Sequence, residues 1–119
     1  MMFYGENDLE QRRKRITEIV ELKREIGGLW SMAEEPNVDH FGGLKETDDL
    51  IQAFFSIALE KRVQENSNEL LNLDEGMGWL GNHISHEVAS FEKYPGSKKQ
   101  ASWLFDEEFA ILWQEFQLK

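Results

Sequence analysis

Three groups of residues in this 119-residue chain have the types and spacing to do chemistry. His83, His86 and Glu87 form the first. On a helix His83 would share a face with His86 (i,i+3) and Glu87 (i,i+4), the spacing at which imidazoles and a carboxylate can converge on one metal ion. The order is H-x-x-H-E rather than H-E-x-x-H, so the metalloprotease arrangement with its general base is absent. Further zinc ligands would have to come from Asp39 or His40. Two helix-surface histidines packed beside Trp79 are the plainer reading, and no metal is assigned.

The second group is Gly76-Met77-Gly78-Trp79-Leu80-Gly81, a literal G-x-G-x-x-G. A dinucleotide fingerprint needs a buried strand before it and a βαβ unit around it. Here Asp74 and Glu75 come immediately before, where they would repel a pyrophosphate at a helix N-terminus. The glycines read as a turn between helices, and no cofactor is assigned.

The third group sets acids among aromatic residues. Asp106 and Glu107 lie near Trp103 on the polar back of an expected last helix, and Asp39, Glu46, Asp48 and Asp49 cluster near the start of an earlier one. Tryptophan is a favoured anchor at protein interfaces, and acidic rims speed the capture of basic partners. These seven residues form the expected partner-binding set. The competing reading tucks the Trp103 ring against the Pro95 turn or the N-terminal arm.

Other catalytic patterns are missing from the sequence. There is no cysteine, no G-x-S-x-G and no Glu-x-x-His of the kind that di-metal bundles use. No catalytic residue is assigned.

Charge points the same way. The chain has 23 acids, 13 bases and a formal net charge of −10. Residues 1–30 balance, with six of each, so the excess lies in residues 31–119. Such a field repels nucleic acid and anionic membrane and attracts basic proteins. Its plainer use is solubility. Arg12, Arg13, Lys14 and Arg15 are consecutive, point in different directions around a helix, and read as a solvated, salt-bridged face.

The elements expected to position these groups are helical. A first helix is capped by Asn7, with Glu10 three residues on, and stops at Gly27-Gly28. Residues 27–46 are irregular apart from a short turn at Ser31–Glu34, with Trp30, Met32, Phe41 and Leu44 plugging the core. A second helix starts at Thr47 and is apolar over more than half its circumference, as in a helix packed on two sides. A third spans about 79–94 on a stripe of Leu80, Ile84, Val88 and Phe91. The last spans 97–117, where Ala101, Phe105, Phe109, Leu112 and Phe116 fall on one stripe. Its apolar face carries an acidic seam, Glu108 and Glu115.

Val, Ile and Thr total only 13 residues, and no window alternates for long, so strands are not expected. The expectation is an all-α single domain over residues 1–119, an irregular antiparallel bundle of about four main helices. No apolar run approaches a membrane span and the N-terminus lacks the features of a signal peptide, which predicts a cytoplasmic protein.

The function these features predict is non-enzymatic: an acidic binding module, most simply an inhibitor or immunity protein neutralising a basic nuclease-type toxin. A small helical enzyme built on His83, His86 and Glu87 is the alternative, metal-dependent or nucleotide-processing. A homo-oligomeric structural subunit is the third.

Overall fold

A computed structural model describes residues 1–40 and 42–119; the core position expected for Phe41 falls outside the described residues. The elements run β1 (Met2–Gly5), α1 (Glu10–Glu25), β2 (Met32–Glu35), α2 (Lys45–Arg62), β3 (Trp79–Gly81), β4 (Val88–Ser90), β5 (Ser102–Leu104) and α3 (Glu107–Gln117). The all-α bundle is therefore overturned. The fold combines three α-helices with a parallel pair, β1–β2, and an antiparallel sheet in the order β4–β3–β5. No described helix is long and apolar enough to cross a membrane.

The N-terminal third is a βαβ unit. β1 and β2 pair in parallel from Met2↔Met32 to Gly5↔Glu35, and α1 makes the crossover between them. The expected glycine stop is present in full: Gly28 N–H donates to Lys23 O (2.8 Å) and Gly27 N–H to Arg24 O (3.0 Å), with Gly27 at φ +85°. That bond pair is the Schellman closure, which needs a residue free to enter the left-handed region. The expected start is corrected. α1 opens after Leu9, and Asp8 Oδ1 rather than Asn7 accepts a nearby amide, that of Leu9 (2.7 Å). Asn7 instead donates its N–H to Val38 O, in a loop so close that a Cβ on Gly5 would lie 2.2 Å from the same carbonyl.

The two sheets meet at β2 and β5. Trp103 N–H donates to Trp30 O (2.9 Å), and one step on the Ser102 hydroxyl replaces the ladder, accepting the Met32 N–H at 2.9 Å. α3 covers the join. It packs on β2, β3, β4, β5 and α2, and buries Phe109, Ala110, Trp113 and Phe116. The expected stripe holds at Phe109 and Phe116. Trp113 takes the central place, and Leu112 lies on the more open flank.

Two expected helices are replaced by strands. In the third, Asn82 Oδ1 accepts the N–H groups of Ile84 (2.8 Å) and Ser85 (2.9 Å), while His86 sits at φ 60°. Those bonds offer the backbone an alternative to the helix and fold residues 82–87 into the hairpin loop between β3 and β4. Ile84, expected in the core, is 91% exposed at its tip. In the last helix, the N-terminal half becomes a 3₁₀ turn at Lys98–Gln100 followed by β5. Asp106 then caps α3 by accepting the Phe109 N–H at 2.9 Å. The turn expected at Ser31–Glu34 is mostly strand β2. α2 is packed on one side only, since Phe55 and Leu59 are more than 60% exposed.

Candidate functional site

Of the residues that the sequence marks out for chemistry, the interior takes Trp103 and two glycines, and His83 is largely drawn in with them. His83 and His86 share no helix face, because both lie in the loop between β3 and β4, where Glu87 is exposed. His83 Nε2 lies 2.9 Å from Ser102 Oγ, at the junction of the sheets. Burial, then the neighbouring His86 and Arg24, push its pKa down to about 4, so the ring is neutral near pH 7. The His86 and Trp113 rings meet in a T-shaped contact, 6.2 Å between centroids. No group of three or more His, Asp or Glu side chains that could hold a metal occurs among the described residues. The helix face that would have brought His83, His86 and Glu87 together is not formed.

The G-x-G-x-x-G glycines serve two indoles. A Cβ on Gly78 would lie 2.4 Å from the Trp103 ring, and one on Gly81 would lie 2.6 Å from the Trp113 ring. Gly76 has open space around it. The motif is a pair of seats for tryptophan, and no α-helix opens in it. Trp103 is accordingly corrected: it belongs to β5, is 4% exposed, and donates its Nε1–H to Glu75 O at 2.9 Å. Glu75 is fixed in turn by the fully buried Arg24, whose guanidinium reaches Glu75 Oε1 (2.7 Å), Gly28 O, Ala101 O and Lys98 O. A ring held this way has no face left for a partner.

The acids divide into separate clusters. α2 and α3 run antiparallel, so Asp106 and Glu107 stand at the end of α2 remote from Glu46, Asp48 and Asp49. The twelve residues from Asp49 to Lys61 alone span about 18 Å. Asp106 is committed to structure. Besides capping α3 it pairs with Lys61 at 2.8 Å. Burial opposes its ionisation, but the Lys61 hydrogen bond and the Phe109 amide outweigh that and hold its pKa below the ordinary value. Glu107 is exposed beside it, and Asp39 is exposed in the loop after β2.

At the other end the acids converge. Glu46 and Asp49 on α2 face Glu115 on α3 across a cleft of about 160 Å³, with Leu50, Ala53, Leu112 and Phe116 as its apolar lining and Lys119 at its edge. Asp48 is exposed next to it without lining it. Lys45 shows what this cluster does to an ammonium. It donates to Asp49 at 2.6 Å, and its pKa is raised by that bond and that charge, with Glu46 and Asp48 adding to it against a small burial cost.

Families of known proteins, curated proteins and solved structures offer no match to this chain. The cleft has to be read from its own geometry. Glu115 is the functional candidate missing from the expected set, although the acidic seam in the sequence already marked it. Its partners across the cleft come from α2, and sequence periodicity within one helix does not show which flank another helix will face.

Proposed function

We propose that the chain is a non-enzymatic binding protein that captures a basic protein partner through the α2–α3 cleft. One observation carries this reading: Glu46, Asp49 and Glu115 ring a small apolar-lined cleft. A lysine or arginine has the complementary build, with an aliphatic stem to lie on Ala53 and Leu112 and a charged head to meet the carboxylates. The net charge of −10 supports long-range steering of such a partner. Asp48 and Asp39 extend the acidic rim, and Glu107 forms a separate outlying point of contact. Within this class the chain is an inhibitor of the immunity type, acting in the cytoplasm on a basic nuclease-type toxin.

The test is titration with a lysine-rich peptide, followed by amide chemical shifts. Shifts should centre on the start of α2 and the end of α3, and affinity should fall steeply as the Debye length shrinks from about 10 Å at 0.1 M salt to about 3 Å at 1 M. Binding that ignores salt, or that maps elsewhere, would reject the cleft. The immunity role is checked separately, by inhibition of a basic nuclease encoded beside the chain.

A second reading has one observation of its own. Phe55, Leu59 and Val63 leave apolar side chains exposed along the outer side of α2 and just past its end, as in a homo-oligomeric subunit. Light scattering decides it: a monomer at high concentration removes this reading and leaves the first untouched.

A further inference from the structure

The basic run Arg12–Arg15 takes no part in the acidic cleft, yet two of its members, Arg12 and Arg15, line a cavity of about 600 Å³ beside β1 and β2. From this juxtaposition we infer that the cavity binds a small organic anion. Arg12 and Arg15 hold its carboxylate or similarly charged group, while Phe3 and Ile16 receive its apolar body.

Position supports this. Asp8 follows β1 and His40 follows β2, so the cavity opens at the carboxyl ends of the parallel pair, where α/β units place their ligands. Its size falls within the range of about 300–1,000 Å³ usual for small-molecule sites.

The charges favour an anion although Asp8 and Glu35 also line the space. Both carboxylates are already engaged. Asp8, with its side chain 4% exposed, accepts from the Leu9 amide (2.7 Å), from Arg12 Nη1 (3.2 Å) and from His40 Nδ1 (2.9 Å). Burial opposes its ionisation, but His40, the Leu9 amide and Arg12 prevail, and its pKa is lowered. Glu35 Oε1 accepts the Thr47 hydroxyl at 2.7 Å. The guanidiniums are less occupied. Arg12 commits one nitrogen to Asp8, and Arg15 has no salt bridge among the described residues. Planar forks with donors to spare are suited to a carboxylate.

The experiment titrates isotope-labelled protein with sodium naphthoate, with the neutral naphthamide and with inorganic phosphate. Naphthoate should give saturable amide shifts in residues 5–16 and 35–40. Naphthamide, which lacks the charge, and phosphate, which lacks the apolar body, should each bind at least roughly tenfold more weakly. Arg15→Gln should weaken naphthoate by a similar factor, about 1.4 kcal/mol, with the amide spectrum of the free protein otherwise kept. Arg15→Lys, retaining the charge without the fork, should lose less. Equal binding of naphthoate and naphthamide would overturn the proposal, as would phosphate binding as tight as naphthoate. So would shifts confined to the α2–α3 cleft, an Arg15→Gln variant that binds as the parent does, or no saturable shift at all.

Discussion

The two flanks of α3 make an instructive pair. Its inner side meets the sheets, where Trp113 on Gly81, Trp103 on Gly78, and the His83–Ser102 contact fill the interior. Its outer flank meets α2, where carboxylates, apolar side chains and one lysine line the cleft. Tryptophan, histidine and glycine motifs draw attention in a sequence because they can do chemistry, but here they are used for packing. The chemistry left at this outer flank belongs to ordinary glutamates and aspartates. Exposure and convergence, rather than residue type, separate the two regions.

The sharpest way to break this contrast is Trp113→Ala. Its ring is fully buried and its Nε1–H donates to Met32 O at 2.8 Å. The loss should be about 3–5 kcal/mol in equilibrium denaturation. A loss under about 1 kcal/mol would mean that the inner flank is not the core.

Next comes pH. His83 titrates near 6.5 when unfolded and near 4 when folded, so between those values the unfolded chain binds more protons. Stability from this group is fully present above about pH 6.5 and declines as pH falls towards 4, by up to about 3 kcal/mol. His83→Gln should flatten the slope in that window. An unchanged slope would assign it to another group, since the lowered pKa values of Asp8 and Asp106 act at more acidic pH, below their ordinary 3.8.

Within the glycine motif, Gly81→Ala places a methyl against the Trp113 ring and should cost about 1–3 kcal/mol. Gly76→Ala, in open space, should stay within about 0.5 kcal/mol of the parent. Equal costs at the two positions would end the account of the motif as ring seats.

The cleft should contribute little to stability. Glu46→Gln, Asp49→Asn and Glu115→Gln together should change stability by no more than about 1 kcal/mol, because exposed charges contribute little. The same triple change should slow association with a lysine-rich peptide, most of all at low salt. A large loss of stability would make these acids structural and collapse the contrast.

How much of this was legible follows from the range of the forces involved. α1 and its glycine stop were readable because a Schellman closure is local, spanning Lys23 to Gly28. The burial of Phe109 and Phe116 was readable because helical period persists through α3. The strands were not. Each has only three or four residues, too few for alternation to register, and β5 is buried at all three positions. Ala101 and Phe105 fit a helical stripe by coincidence, being buried on either side of a strand. Trp103 followed that error, since a residue on the back of a helix looks outward and the same residue in a covered strand does not. The cleft was half legible: its acids could be counted, but Glu115 could join Glu46 and Asp49 only once α2 and α3 were packed together.

One hydrogen bond also sets a schedule. The Met32 carbonyl and its donor, the Trp113 indole, stand 81 residues apart. At a synthesis rate of roughly 5–20 residues per second, β2 emerges about 4–16 seconds before the ring that covers it. Through that interval Ala33 lacks its α3 cover, and Leu80 and then Leu104 join it uncovered as they are made. The nascent chain is therefore most open to aggregation and to chaperones before α3 is made, and adding those eleven residues closes both sheets in one step.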